Sequence, residues 1–289
     1  MRIPKDLLNA SVFLGGRDGH GALHYRATAC CVGLPTTRTR VGWPCLVTAR
    51  HNIRAAMREY GNIWVRVNCQ DGTAKDIEIT REWEYPDDEG CDLALTPFPV
   101  VRPEHDTVIL PIPASWFVTD ELVVEREIGP GEDLVAVGLF SSHVGSQRNL
   151  PIVRSGIIAS MPFESLIDEA TGLPYDAYLA EVRSIGGLSG SPVFIVLNPF
   201  LRQRDNDVGQ IVDQQYPIFS LLGVIRGHWN SNVEPDFGEL DFGESQMTRN
   251  SGVAIVTPIS EVLSLFERDQ LVKYKREWDE MWDQSTKDE

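Results

Sequence analysis

The stretch Gly186-Gly187-Leu188-Ser189-Gly190-Ser191-Pro192-Val193-Phe194 sets a hydroxyl among glycines and then runs through a proline into an apolar strand. That order suits a serine exposed at a tight bend, with backbone N–H groups gathered around it. A serine hydroxyl is a weak nucleophile alone. The stretch therefore carries chemistry only if a base and an orienting carboxylate stand elsewhere in the chain.

Candidates for both are present. The apolar run from Trp43 to Ala49 leads through Arg50 into His51 and Asn52, and Cys91-Asp92-Leu93-Ala94-Leu95 opens another apolar run with an aspartate. His20, His24, His105, His143 and His228 are rivals to His51, but none follows a Thr-Ala-x run at the end of a strand pattern. Each candidate also has a plainer reading: Ser189 as part of a glycine-rich turn, His51 as a helix cap or surface histidine, Asp92 as one of several acids beside Asp87 and Asp88. The chain order His51, Asp92, Ser189 is that of the chymotrypsin arrangement and differs from the orders in subtilisin and the α/β-hydrolases.

On these residues the chain resembles the trypsin-like (chymotrypsin-fold) serine proteases, closest in style to the disulfide-poor branch of HtrA-like and glutamyl endopeptidases. The matching segments are Leu46 to His51, Asp92 to Leu95, Val153 to Ile158, Gly186 to Phe194, Leu222 to Ile225 and Ser251 to Ile255. The resemblance implies an all-β fold of two antiparallel six-stranded β-barrels with a C-terminal helix. It implies a serine endopeptidase acting on a protein or peptide substrate through an acyl-enzyme. Ser189 would attack, His51 would carry the proton, and Asp92 would orient the imidazole. The Gly187 and Ser189 N–H groups would form an oxyanion hole, glycine at 187 letting the peptide turn inward without a Cβ clash. Arg183, Ser184, Arg226, Gly227, His228, Gly252 and Val253 would line the first specificity pocket.

Two departures from the family matter. Leu188 stands where trypsin has an acidic residue that pairs with a freshly cut N-terminus, so activation by trimming is not expected. Arg226-Gly227-His228-Trp229 stands where trypsin has serine, tryptophan and glycine, and that serine normally supports the aspartate. No acid matches trypsin's pocket base, and Arg183 occupies that approximate place. The expected preference is for acidic or small uncharged side chains over basic ones. Two other functions stay open: a catalytically silent trypsin-like scaffold or partner-gated module acting through its C-terminal helix, and an acyl hydrolase other than a peptidase.

The chain has 289 residues, 42% of them hydrophobic and 24% charged, an ordinary soluble composition with ample material for a core. A net charge of -16 argues against nucleic acid and against anionic membrane surfaces as partners. The five cysteines, Cys30, Cys31, Cys45, Cys69 and Cys91, all precede Asp92 and have no C-x-x-C spacing. Secreted trypsin-like enzymes place a cysteine directly after the histidine, where this chain has Asn52. Buried thiols in a reducing, cytoplasmic setting are expected, with neither disulfides nor a zinc site. No secretory signal or membrane-spanning run is read, and no cofactor or metal is implied.

Apolar runs of strand length recur at Ser11–Leu14, Ala27–Leu34, Trp43–Ala49, Ile63–Val67, Leu93–Leu95, Leu134–Leu139, Ile152–Ile158, Val193–Leu197, Ile218–Ile225 and Val253–Val256. They divide into an N-terminal barrel with linker over 1–124, a second barrel over 125–258 and a helical tail over 259–289. Pro103, Pro111 and Pro113 mark the linker within 101–124. Thr257-Pro258 reads as an N-cap followed by a first-turn proline. Val262, Leu265 and Phe266, then Leu271, Tyr274, Trp278, Met281 and Trp282, recur at helical spacing. That aromatic stripe is either core contact or a docking face for a regulatory protein partner. The polar insertion at 198–216 and the acidic-aromatic one at 229–250 read as surface or cleft-bordering loops.

Overall fold

The computed structural model describes residues 3–36, 42–98, 106–140, 143–182, 187–197, 219–232 and 248–285. The first half contains α1 (Lys5–Asn9), β1 (Ser11–Arg17), β2 (Leu23–Leu34), β3 (Trp43–Thr48), α2 (Arg50–Tyr60), β4 (Trp64–Asn68), β5 (Ala74–Glu78), β6 (Ala94–Pro97) and β7 (Ile112–Pro113). Its strands form one sheet in the order β5-β4-β1-β2-β3-β6, with β7 lying parallel to β2. A 3₁₀ turn (Ala114–Trp116) and α3 (Asp120–Glu125) then cross to the second half.

There β8 (Asp133–Leu139), β9 (Pro151–Ser160), a small hairpin of β10 (Leu166–Ile167) and β11 (Pro174–Tyr175), β12 (Tyr178–Glu181), β13 (Pro192–Val196), β14 (Phe219–Asn232) and β15 (Thr248–Pro258) follow in sequence. Six of them close a barrel in the order β12-β15-β14-β13-β8-β9. A 3₁₀ turn (Ile259–Leu265) and α4 (Asp269–Ser285) end the described chain.

Several of the apolar runs form strands that are covered on both faces. Along β2, Ala27, Ala29 and Cys31 face a core shared with Ile53 and Ala56 of α2. The alternate residues Cys30, Val32 and Leu34 face a second, central core. Strand β13 divides the same way: Val193 and Ile195 fill the barrel interior while Phe194 and Val196 face the central core. The period of two is thus preserved, and burial on both sides makes the run apolar throughout. The central core joins the halves, bringing Val47 and Leu95 of the first sheet together with Val135, Phe194 and Leu221 of the barrel.

The expectation of two six-stranded barrels is met in part. The second half closes, but the first is an open path of strands among the described residues. At the end of that path β6 has four residues, Ala94–Pro97. Its outer edge is covered by a single bridge, Glu84 N to Leu95 O at 2.7 Å and Leu95 N to Glu84 O at 2.9 Å.

The C-terminal segment is helical as the spacing predicts, with a different start. Thr257 is still in β15, Pro258 is the N-cap of the 3₁₀ turn, and no side chain caps it. In α4, Leu271 and Trp278 are buried in the central core, with Tyr274, Met281 and Trp282 packed against it. Trp278 and Trp282 stack at 5.3 Å. Arg268, just before the helix, reaches Glu84 at 3.3 Å and Asp87 at 2.7 Å, and so ties the tail to the first half. No described helix is long and apolar enough to cross a membrane.

Candidate active site

Strand β3 stops at Thr48 and α2 starts at Arg50, so His51 stands in the first turn of a helix rather than at a strand end. The first N–H groups of a helix have no partner inside it. Asp92 supplies one from outside: its Oδ1 accepts the His51 backbone N–H at 2.9 Å, while its Oδ2 accepts from the ring Nδ1 at 2.6 Å. One carboxylate therefore caps α2 and orients the imidazole, and its negative charge sits at the favourable end of the helix dipole. The loop is held further by Arg50 N to Asp92 O at 3.3 Å. The Arg50 side chain, itself buried, donates to the carbonyl of Pro86 at 2.7 Å.

Because Nδ1 donates to Asp92, the other ring nitrogen, Nε2, is left as the acceptor. It lies 2.8 Å from Ser189 Oγ. The Arg226 carbonyl also faces that hydroxyl, at 3.2 Å. A serine hydroxyl has one proton to give, and the shorter contact goes to the imidazole. Exposure is graded to match: the Asp92 side chain is 11% exposed and the His51 ring 49%, so the orienting group is shielded while the base is open to the cleft.

The turn at Ser189 is shaped by close approach to the first sheet. Gly190 has φ +84°, and a Cβ there would fall 2.0 Å from Thr28 O and 2.3 Å from Thr48 Oγ1, which only glycine avoids. Thr28 N donates to Ser189 O at 3.0 Å, and Thr28 Oγ1 donates to Gly187 O at 2.9 Å. Thr48 Oγ1 donates to Thr28 O at 2.7 Å and accepts from Asn52 Nδ2 at 3.1 Å. A buried polar chain thus runs from Asn52, the residue after His51, to the backbone on both sides of Leu188. The Leu188 side chain is fully buried in the barrel interior, so an apolar contact fills the place of the acid expected in trypsin.

The structure brings His51, Asp92 and Ser189 together, with Gly187 in the same turn at φ +93°. Arg226, Gly227 and His228 lie on β14, and Gly252 lies on the neighbouring β15. The Arg226 side chain is 16% exposed and engaged: Nη1 donates to Gly90 O at 2.9 Å, Nη2 to Asp168 Oδ2, and the guanidinium lies 3.9 Å from the Tyr175 ring centroid. Burial pushes the Asp168 carboxyl upward, but the Thr171 amide and hydroxyl and the Arg226 guanidinium outweigh it and leave its pKa below the ordinary carboxylate value. His228 is exposed. Arg183, Ser184, Gly186 and the 198–216 and 233–247 portions of the two insertions lie outside the described residues.

Sequence reasoning missed Thr28, Thr48 and Asn52 as supports, and it missed the grip of Arg226 on Gly90 and Asp168. No local pattern marks them, because each acts on a partner distant in the chain. Among the described residues no group of His, Cys, Asp and Glu could hold a metal ion. All five cysteines are free and buried; burial pushes the Cys30 and Cys91 thiols up to about 12.

No protein-family model matches the chain, and no curated protein matches its sequence. Among solved structures, that of Deg5 is similar over 90% of this chain and 88% of its own, with a TM-score of 0.50 at 14% identity. At that identity the likeness shows the fold alone, and at a coarse level that fold is the trypsin-like protease fold.

Proposed function

We propose that this chain is a serine endopeptidase that hydrolyses peptide bonds through Ser189, His51 and Asp92. The observation that carries the reading is the continuous relay from Asp92 Oδ2 to His51 Nδ1 at 2.6 Å and from His51 Nε2 to Ser189 Oγ at 2.8 Å. In this reading Ser189 Oγ attacks the scissile carbonyl as its proton passes to His51 Nε2. The Asp92 carboxylate steadies the imidazolium. The Gly187 and Ser189 N–H groups receive the oxyanion. His51 returns the proton to the leaving amine, and water then repeats the sequence on the acyl-enzyme. Removing a general base of this kind lowers rates by about 10²–10⁴-fold.

The five free, buried thiols support work in a reducing compartment such as the cytoplasm. For the first specificity pocket, the engaged guanidinium of Arg226 leaves His228 as the exposed basic side chain on β14, in keeping with a preference for acidic or small residues. Strong cleavage after Lys or Arg in a peptide library would overturn that preference. A regulatory partner at α4 would have to meet its charged face, since the apolar stripe packs within this chain.

The decisive experiment is labelling with a fluorophosphonate, together with cleavage of an unfolded protein substrate. Labelling at Ser189 and proteolysis, both lost in Ser189→Ala, are expected. Absence of labelling in the isolated protein would leave a silent scaffold or an enzyme awaiting an activator, and absence in the presence of cell extract as well would overturn the enzyme. Labelling without any protein cleavage would instead point to an acyl hydrolase of small esters.

A further inference from the structure

Arg226 occupies the place where the sequence departs most plainly from the expected serine, and it contacts both the nucleophile and the loop that carries Asp92. Its carbonyl faces Ser189 Oγ at 3.2 Å. Its Nη1 donates at 2.9 Å to the carbonyl of Gly90, two residues before Asp92 and 136 positions away in the chain. Its Nη2 pairs with Asp168 Oδ2. Asp168 itself is locked, because its Oδ1 accepts the Ala170 and Thr171 amides, each at 3.0 Å, and the Thr171 hydroxyl at 3.1 Å. The turn between β10 and β11 thereby becomes a fixed anchor.

Tyr175, on β11, lies against the guanidinium. The same hairpin presses on the aspartate loop from the other side: a Cβ on Gly90 would fall 2.0 Å from Pro174 O. The guanidinium therefore ties the strand under Ser189, which carries it, to two other segments: the loop that carries Asp92 and the 166–175 hairpin. A guanidinium can serve two acceptors with fixed geometry, which a lysine ammonium on a flexible stem cannot.

We propose that Arg226 is a positioning residue that holds the Asp92 loop in register with the Ser189 strand, in place of the direct support that a serine would give. This rests on the reading of Ser189 as the nucleophile. The guanidinium is spent within the protein, so it fixes geometry rather than reading a substrate carboxylate. A misplacement of about 1 Å at a catalytic group can cost about 10²-fold in rate.

The test uses a small neutral fluorophosphonate, which has no side chain for Arg226 to recognise, together with steady-state kinetics on neutral and acidic peptides. Arg226→Met is expected to slow labelling of Ser189 by about 10- to 100-fold and to lower kcat by a similar factor, with KM for both peptides changed less than threefold. Arg226→Lys should recover only part of that loss. Asp168→Asn, which leaves Arg226 in place and removes its anchoring charge, should move labelling and kcat in the same direction by a smaller factor. That variant keeps the test alive if Arg226→Met does not fold. Labelling unchanged in both Arg226→Met and Asp168→Asn would overturn the proposal. So would a rise in KM confined to acidic peptides, which would make Arg226 a substrate reader. If the intact protein is labelled neither alone nor in cell extract, the nucleophile reading fails before this one is reached.

Discussion

Thr28 shows how much of the Ser189 turn is built by a single residue in the other half of the molecule. From a position with no solvent exposure it donates to Ser189 O and Gly187 O, accepts from Thr48 Oγ1 and receives the Leu139 amide on its hydroxyl at 3.3 Å. Thr28→Val keeps the shape and removes the hydroxyl, leaving the Gly187 carbonyl and Leu139 amide short of a partner. Each buried group left unpaired costs about 1–3 kcal/mol. We expect a lower Tm and roughly tenfold slower labelling of Ser189, the order of a catalytic interaction worth about 1.4 kcal/mol. Thr28→Ser should restore both. Normal labelling in a folded Thr28→Val protein would show that the turn holds itself. At this scale the sequence identified His51, Asp92 and Ser189 through their neighbours in the chain. It did not identify Thr28, whose importance comes from facing Gly187 at a separation of 159 positions.

Among the elements, α4 answers a question left open by its sequence. The stripe Leu271, Tyr274, Trp278 suits either a core contact or a docking face, and periodicity cannot tell the two apart. In the structure Leu271 and Trp278 join the central core with Phe194 and Leu221. Trp278→Ala is therefore expected to destabilise by about 3–5 kcal/mol in denaturant unfolding. A change below about 0.5 kcal/mol, the size typical of surface substitutions, would mean that the stripe is free to dock elsewhere. The strands were the readable elements, because burial on both faces leaves an apolar run that turns interrupt. Helix α2 escaped notice although Ile53 and Ala56 face the core, since its start has no capping side chain of its own: the cap comes from Asp92. Short strands such as β10 and β11, two residues each, carry no period to read.

On the scale of the whole molecule, the two halves share one core, and four of the five thiols lie in it or in the core behind the first sheet. Cys30, Cys45 and Cys91 lie in the central core and Cys31 in the core beneath α2. Alkylation by iodoacetamide should be slow for these four in the native protein and become rapid only with global unfolding. A reductant should leave the Tm unchanged, because no cysteine is paired. Fast modification of any of these four thiols in the native state, or a reductant-sensitive Tm, would contradict the packing described. The sequence by itself determined the mostly β architecture, the helical tail and the candidates His51, Asp92 and Ser189. These follow from local burial period and immediate neighbours, which a linear chain records directly. Only the tertiary structure decided that the second half closes into a barrel, that Asp92 caps the helix bearing His51, and that Arg226 binds Gly90 and Asp168. Each of those depends on which distant groups meet, and pairing between separated residues is fixed by packing of the whole chain rather than by the period of any one segment.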